Sequence, residues 1–144
     1  MTEPAILILE DNADRIAQFT GVLARLASGM PVFWYRSAKK MAREIGEFLG
    51  RAAFMSLDHD LEPRPGVEEL GEGIDVTRHL ATVRPACPVI IHKSNSDRAS
   101  LMIGDLERSG WYYLRVPPIG DDWVELDWGG AVRRCLRRFH RRTT

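Results

Sequence analysis

Met55-Ser56-Leu57-Asp58-His59-Asp60-Leu61 decides the fold. An apolar run from Ala53 to Leu57 stops at three titratable side chains, and a turn-rich stretch with Pro63, Pro65, Gly66, Gly71 and Gly73 follows. Ile6-Leu7-Ile8-Leu9 ends in the same way at Glu10-Asp11-Asn12, and Val89-Ile90-Ile91 ends at His92-Lys93-Ser94-Asn95. Short apolar runs alternating with helical patterns predict parallel strands covered on both faces. In such sheets, ligands bind outside the carboxyl ends of the strands. Three strand ends therefore bring Glu10, Asp11, Asp58, His59, Asp60, His92, Ser94 and Asn95 towards one rim.

The elements between these runs follow the same alternation. Asn12 or Asp11 caps a helix whose Ile16, Phe19, Leu23 and Leu26 share a face. Val32 to Tyr35 makes an edge strand, and Ser37 opens a second helix carrying Met41, Ile45, Phe48 and Leu49. Residues 62–73 hold four acids, three glycines and two prolines without periodicity, which predicts a long loop at the rim. A third helix spans about 74–83, and a fourth, capped by Ser94 or Ser96, carries Ala99, Met102, Ile103 and Leu106. Trp111 to Val116 make the fifth strand, and 117–122 a second rim loop. A basic helix over 130–142 turns Val132, Cys135, Leu136 and Phe139 inward. Five strands alternating with five helices predict an α/β doubly wound parallel sheet of order 2-1-3-4-5, forming one domain over residues 1–144.

Composition narrows the class. No stretch approaches the roughly 20 apolar residues of a membrane span, so no membrane partner is expected. The N-terminus lacks the pattern of a secretory signal, and Cys87 and Cys135 show neither disulfide nor zinc spacing. Both thiols are expected to be buried in a cytoplasmic protein. Net charge is zero but uneven. Six arginines, from Arg133 to Arg142, give the last twelve residues +6, leaving −6 on residues 1–132. Such a helix is a candidate contact for nucleic acid.

Ile6 to Asn12, the strand ending in Leu57-Asp58, and Pro88-Val-Ile-Ile running to Ser94 resemble a two-component receiver (CheY-like) domain, over nearly the whole chain. The resemblance implies that Glu10 and Asp11 match the family's acidic pair and that Asp58 matches its phosphoryl acceptor. The main-chain carbonyl of Asp60 would complete a site for Mg²⁺ or Mn²⁺. The chain departs from the family pattern at three places. Ser94 comes about one residue later than the family's Ser or Thr, and Arg115-Val116-Pro117 stands where receivers carry Lys before Pro. His59, Asp60 and His92 have no ordinary receiver counterpart. Leu-Asp-His-Asp-Leu together with His-x-Ser-Asn is most similar to the cyclic-phosphate processing receiver family, whose members are predicted to act on cyclic phosphates.

The chemistry of the rim agrees with that expectation. Several carboxylates at one rim repel each other unless a cation joins them, and an oxygen-rich site suits Mg²⁺ or Mn²⁺. Asp11, Asp58, Glu10 and Asp60 are the expected metal residues. His92 and His59 are candidates for proton transfer, alongside Asp58 and Ser94 as catalytic groups. Ser94, Asn95, Lys93 and Arg115 are expected to hold phosphate. Trp111, Tyr112 and Tyr113 read as packing residues, whereas Trp123 and Trp128 stay open as site residues. The expected activity is metal-dependent hydrolysis of a phosphoester or cyclic phosphate, on a phosphate-containing small molecule or an RNA end. The alternatives are a signalling receiver phosphorylated on Asp58 and a non-catalytic interaction module. A homodimer is compatible with any of the three.

Overall fold

The computed structural model describes residues 3–61, 70–92 and 96–143, together with the backbone but not the side chain of Ser96. Five parallel strands, β1 (Ala5–Leu9), β2 (Val32–Tyr35), β3 (Ala52–Leu57), β4 (Val89–Ile91) and β5 (Tyr113–Arg115), form one sheet of order β2-β1-β3-β4-β5. This is the doubly wound order that the alternating pattern predicts. The helices are α1 (Ala13–Leu26), α2 (Ala38–Glu44), α3 (Gly73–Leu80), α4 (Ser96–Arg108) and α5 (Gly129–Thr143). The strands alternate their side chains between two cores. Leu7, Leu9, Met55, Leu57, Val89 and Ile91 pack against α2, α3 and α4. Ile6, Ile8, Phe54 and Ile90 pack against α1 and α5.

Local chemistry sets the element ends. The Asn12 side chain accepts from the Arg15 amide and caps α1, and Ser37 accepts from the Lys40 amide to cap α2. Glu72 and Asp75 form a reciprocal capping box at the start of α3. Gly73 is required there because a Cβ would stand 2.3 Å from the Asp58 carbonyl oxygen and 2.9 Å from His59 Cα. The first residue of α3 therefore sits directly against the end of β3.

Several boundaries differ from the sequence expectation. Helix two gives way to a 3-10 turn at Ile45–Glu47, so Phe48 and Leu49 lie beyond regular helix. Trp111 precedes β5 because its indole nitrogen donates to the Leu80 carbonyl at 2.9 Å, which turns it into the core. A π-helical turn, Val124–Trp128, leads into α5 and has no counterpart in the sequence reading. Trp123, Val124, Leu126 and Trp128 are the apolar residues of that acidic stretch, and over so short a span they reveal no period. Cys87 and Cys135 are buried as expected, and burial pushes both thiols up to about 12.

Candidate metal and phosphate site

Strand register, more than loop geometry, assembles the site. Leu9, Leu57 and Ile91 are the last paired row across β1, β3 and β4. The ladder then runs one residue further, with the Asp58 amide donating to Leu9, His92 to Leu57 and Val116 to Ile91. Glu10, Asp58 and His92 thus stand side by side in the next row. They share parity with Ile8, Ser56 and Ile90, so they lie on the α1/α5 face of the sheet. All three are buried, and one donor atom from each lies within 4.8 Å of the other two.

Each member is held by named partners. Glu10 Oε2 accepts from the amides of Asp11 (3.0 Å) and Asn12 (3.1 Å), and Oε1 from Arg15 Nη1 (3.1 Å). His92 Nε2 lies 3.1 Å from the same Oε1. Burial would raise the Glu10 pKa, but the hydrogen bond and charge of His92, the Arg15 guanidinium and the Asn12 amide hold it at about 2. An ionised Glu10 accepts only, so the hydrogen between the two side chains lies on His92 Nε2. The Ser56 hydroxyl lies 2.7 Å from Nδ1 and accepts from Trp128 Nε1 at 2.9 Å. The chain Trp128, Ser56, His92, Glu10 is therefore closed, and the His92 ring lies edge-on to Phe19 at 5.1 Å. Asp58 Oδ1 accepts from the His59 amide at 2.8 Å, and Oδ2 lies 3.7 Å from Arg15 Nη1.

Arg15 is the site residue that motif reasoning missed. Its guanidinium stands beside both acidic strand ends and 5.3 Å above the Trp123 ring. The signal was present in its position five residues after Glu10, in the first turn of α1, where a long side chain reaches back over the strand end.

The remaining sequence candidates separate from the row. His59 is buried on the opposite face, with Nδ1 3.1 Å from Asp60 Oδ1 and Nε2 3.4 Å from Glu72 Oε2. The Asp60 carboxylate is exposed and directed towards His59 and Arg98. Asp11 is buried beside Glu10, yet among the described residues the group able to share an ion is Glu10, Asp58 and His92. Arg115 is exposed on edge strand β5, in register with Ile91 and one residue short of the row, which Val116 occupies. Lys93, Ser94 and Asn95 lie outside the described residues, as do residues 62–69 of the rim loop. Trp128 is wholly buried and stacked on Phe19 at 3.8 Å, so it packs the core behind the row.

The donor set fits a divalent cation. Two carboxylates suit a hard, oxygen-preferring ion such as Mg²⁺ or Mn²⁺. The adjacent guanidinium adds a phosphate-binding fork.

No protein-family model and no curated protein matches the sequence. Solved structures do match in fold. The response regulator receiver domain from Rhodospirillum rubrum aligns with a TM-score of 0.60 at 16% identity, covering 92% of this chain and 91% of that one. The response regulator domain of Thermotoga maritima CheB gives 0.63 at 13% identity, covering 95% and 96%. The Mn²⁺-bound form of response regulator Rcp1 gives 0.60 at 18% identity, covering 88% and 90%. The chain therefore has the receiver fold.

Proposed function

We propose that this receiver fold carries a divalent-metal-dependent phosphoryl-processing site acting on a cyclic phosphate or phosphoester. The observation that carries the reading is the buried row of Glu10, Asp58 and His92, whose donor atoms lie within 4.8 Å of one another. Glu10 and Asp58, with Asp11 beside them, would hold the ion. When bound, that ion would neutralise phosphoryl charge and acidify a water. The Mn²⁺-bound form of the structurally similar Rcp1 supports Mn²⁺ as an ion to test beside Mg²⁺. Arg15 stands at the same carboxylates and offers N–H groups to a phosphate oxygen. His92, with both nitrogens engaged inside the core, orients Glu10 and keeps it ionised; it does not reach a substrate.

A signalling receiver with Asp58 as phosphoryl acceptor is the second reading, favoured by the fold and by the position of Asp58 at the end of β3. Two positions of the row weigh against it. In receivers a Ser or Thr follows β4 and a Lys precedes the proline after β5, whereas this row has buried His92 and buried Val116. The decisive experiment is product analysis after incubating the protein with Mg²⁺ or Mn²⁺ and a 2′,3′-cyclic nucleotide. Ring opening by the wild type, lost in Asp58→Asn and Glu10→Gln, supports the hydrolytic reading. No turnover, with a small phosphodonor labelling Asp58, replaces it with the signalling one.

A further inference from the structure

Between β5 and α5 lies a groove of about 590 Å³. Its walls carry Arg115, Arg133, Arg134 and Arg137, while Leu126 and Pro117 give it apolar surface. We propose that this groove binds the phosphate backbone of a single-stranded nucleic acid.

Five of the six arginines of α5 divide into two groups. Arg138 stacks on Tyr112 with its guanidinium 4.0 Å from the ring centroid, and Arg142 donates to the Ala86 carbonyl at 2.6 Å. These two fasten the helix to the body. Arg133, Arg134 and Arg137 are exposed, and together with Arg115 they form no ion pair among the described residues. The helix dipole gives them no role, because it rewards cations only in the last turn of a helix and Arg133 and Arg134 stand in the second turn. Four like charges around one concavity repel each other unless an anion enters, and among the described residues Asp127 is the only acid in the lining.

The shape favours a strand over a duplex. The concavity, about 590 Å³ between an edge strand and a helix, has room for a few nucleotides of a single strand and not for a double helix. Arg133 and Arg137 are one helical turn apart, about 6 Å along the axis, so the charges are strung along the groove and do not converge on one point. A charged groove that tracks a backbone, with guanidinium planes and apolar surface beneath the bases, is the general arrangement for sequence-tolerant single-strand binding. Leu126, 68% exposed on the groove wall, provides such a surface. Among the described residues no aromatic side chain lines the groove, so binding should be driven by charge with little sequence preference.

The test is fluorescence anisotropy of the full chain with a labelled single-stranded RNA of about twelve nucleotides, a length within single-strand site sizes. EDTA is present throughout, which separates this site from the metal row. The single strand should bind more tightly than its duplex, with log K falling with log salt at a slope of roughly −3 for four phosphates. Arg133→Glu with Arg137→Glu should weaken binding by more than about tenfold. Arg78→Glu with Arg84→Glu, the same charge change at exposed positions elsewhere, should weaken it far less. Equal losses in the two double variants would overturn the proposal, as would absent binding at low salt. Groove-dependent binding to anionic lipid vesicles in place of RNA would overturn it in favour of a membrane surface.

Discussion

The Nε2 atom of His92 lies 3.1 Å from Oε1 of Glu10, and neither side chain is exposed to solvent. A buried carboxylate on a strand end is costly unless hydrogen bonds and charge compensate it. Here the compensation comes from behind, through Ser56 and Trp128, as well as from the front, through Arg15.

Ser56→Ala tests the rear support. It removes the acceptor of the Trp128 indole N–H and the partner of His92 Nδ1, leaving two buried polar groups unsatisfied. Urea unfolding should show a loss of about 2–6 kcal/mol, from roughly 1–3 kcal/mol for each orphaned group. Trp128→Phe keeps the stack on Phe19 and loses one hydrogen bond, so its cost should be nearer 1 kcal/mol.

Acid stability follows from Glu10. Its folded pKa of about 2 lies below the ordinary value of 4.5, so folding favours the ionised form. The resulting stability is present in full above pH 4.5 and disappears as pH falls towards 2. Its size is on the order of 3 kcal/mol. Metal-free wild type should lose stability through that window, and Glu10→Gln, less stable at neutral pH, should show a flatter profile there. Parallel profiles for the two proteins would refute the assignment.

Arg15→Ala should move two measurements in opposite directions. Removing a cation next to Glu10 and Asp58 should tighten Mn²⁺ binding by up to about tenfold, as expected for a partly screened pair. Turnover of a cyclic nucleotide should fall in the same variant, because the phosphate loses its guanidinium partner. Weakened Mn²⁺ binding would mean that Arg15 orders the carboxylates, with no competition against the ion.

Gly73→Ala should cost about 1–3 kcal/mol, since the new methyl meets the backbone of Asp58 and His59, which cannot swing aside like a side chain. Gly46→Ala, with open space at its Cβ, should be tolerated. Thermal denaturation of the two variants side by side makes the comparison.

The fold was legible because three strands announce themselves twice, by an apolar run and by the polar residues at its end. Ile6 to Glu10, Ala53 to Asp58 and Val89 to His92 share that form, and their parity brings Glu10, Asp58 and His92 into one row. Sequence could not show that Val116, and not Arg115, completes the row on β5, because that depends on a one-residue choice of register. It also could not show that His59 and His92 face opposite sides of the sheet until the ends of β3 and β4 were known. Arg15 was overlooked because it belongs to no strand end; its place in the first turn of α1, just after β1, is the signal that brings it to the carboxylates. The π-helical turn before α5 was hidden for a different reason. Its function in the fold is to deliver Trp128 to Ser56, a contact 72 positions apart in sequence.

Mn²⁺ titration of the full chain, followed by calorimetry or by the electron paramagnetic resonance of the free ion, tests the central claim most directly. One site is predicted in the wild type, with affinity reduced at least roughly tenfold in Asp58→Asn, because one charged ligand is lost. The exposed Asp127→Asn, which removes the same charge elsewhere, should bind as the wild type does. Equal affinity in the wild type and Asp58→Asn would contradict the account, because the row of Glu10, Asp58 and His92 would then not be where the ion is held.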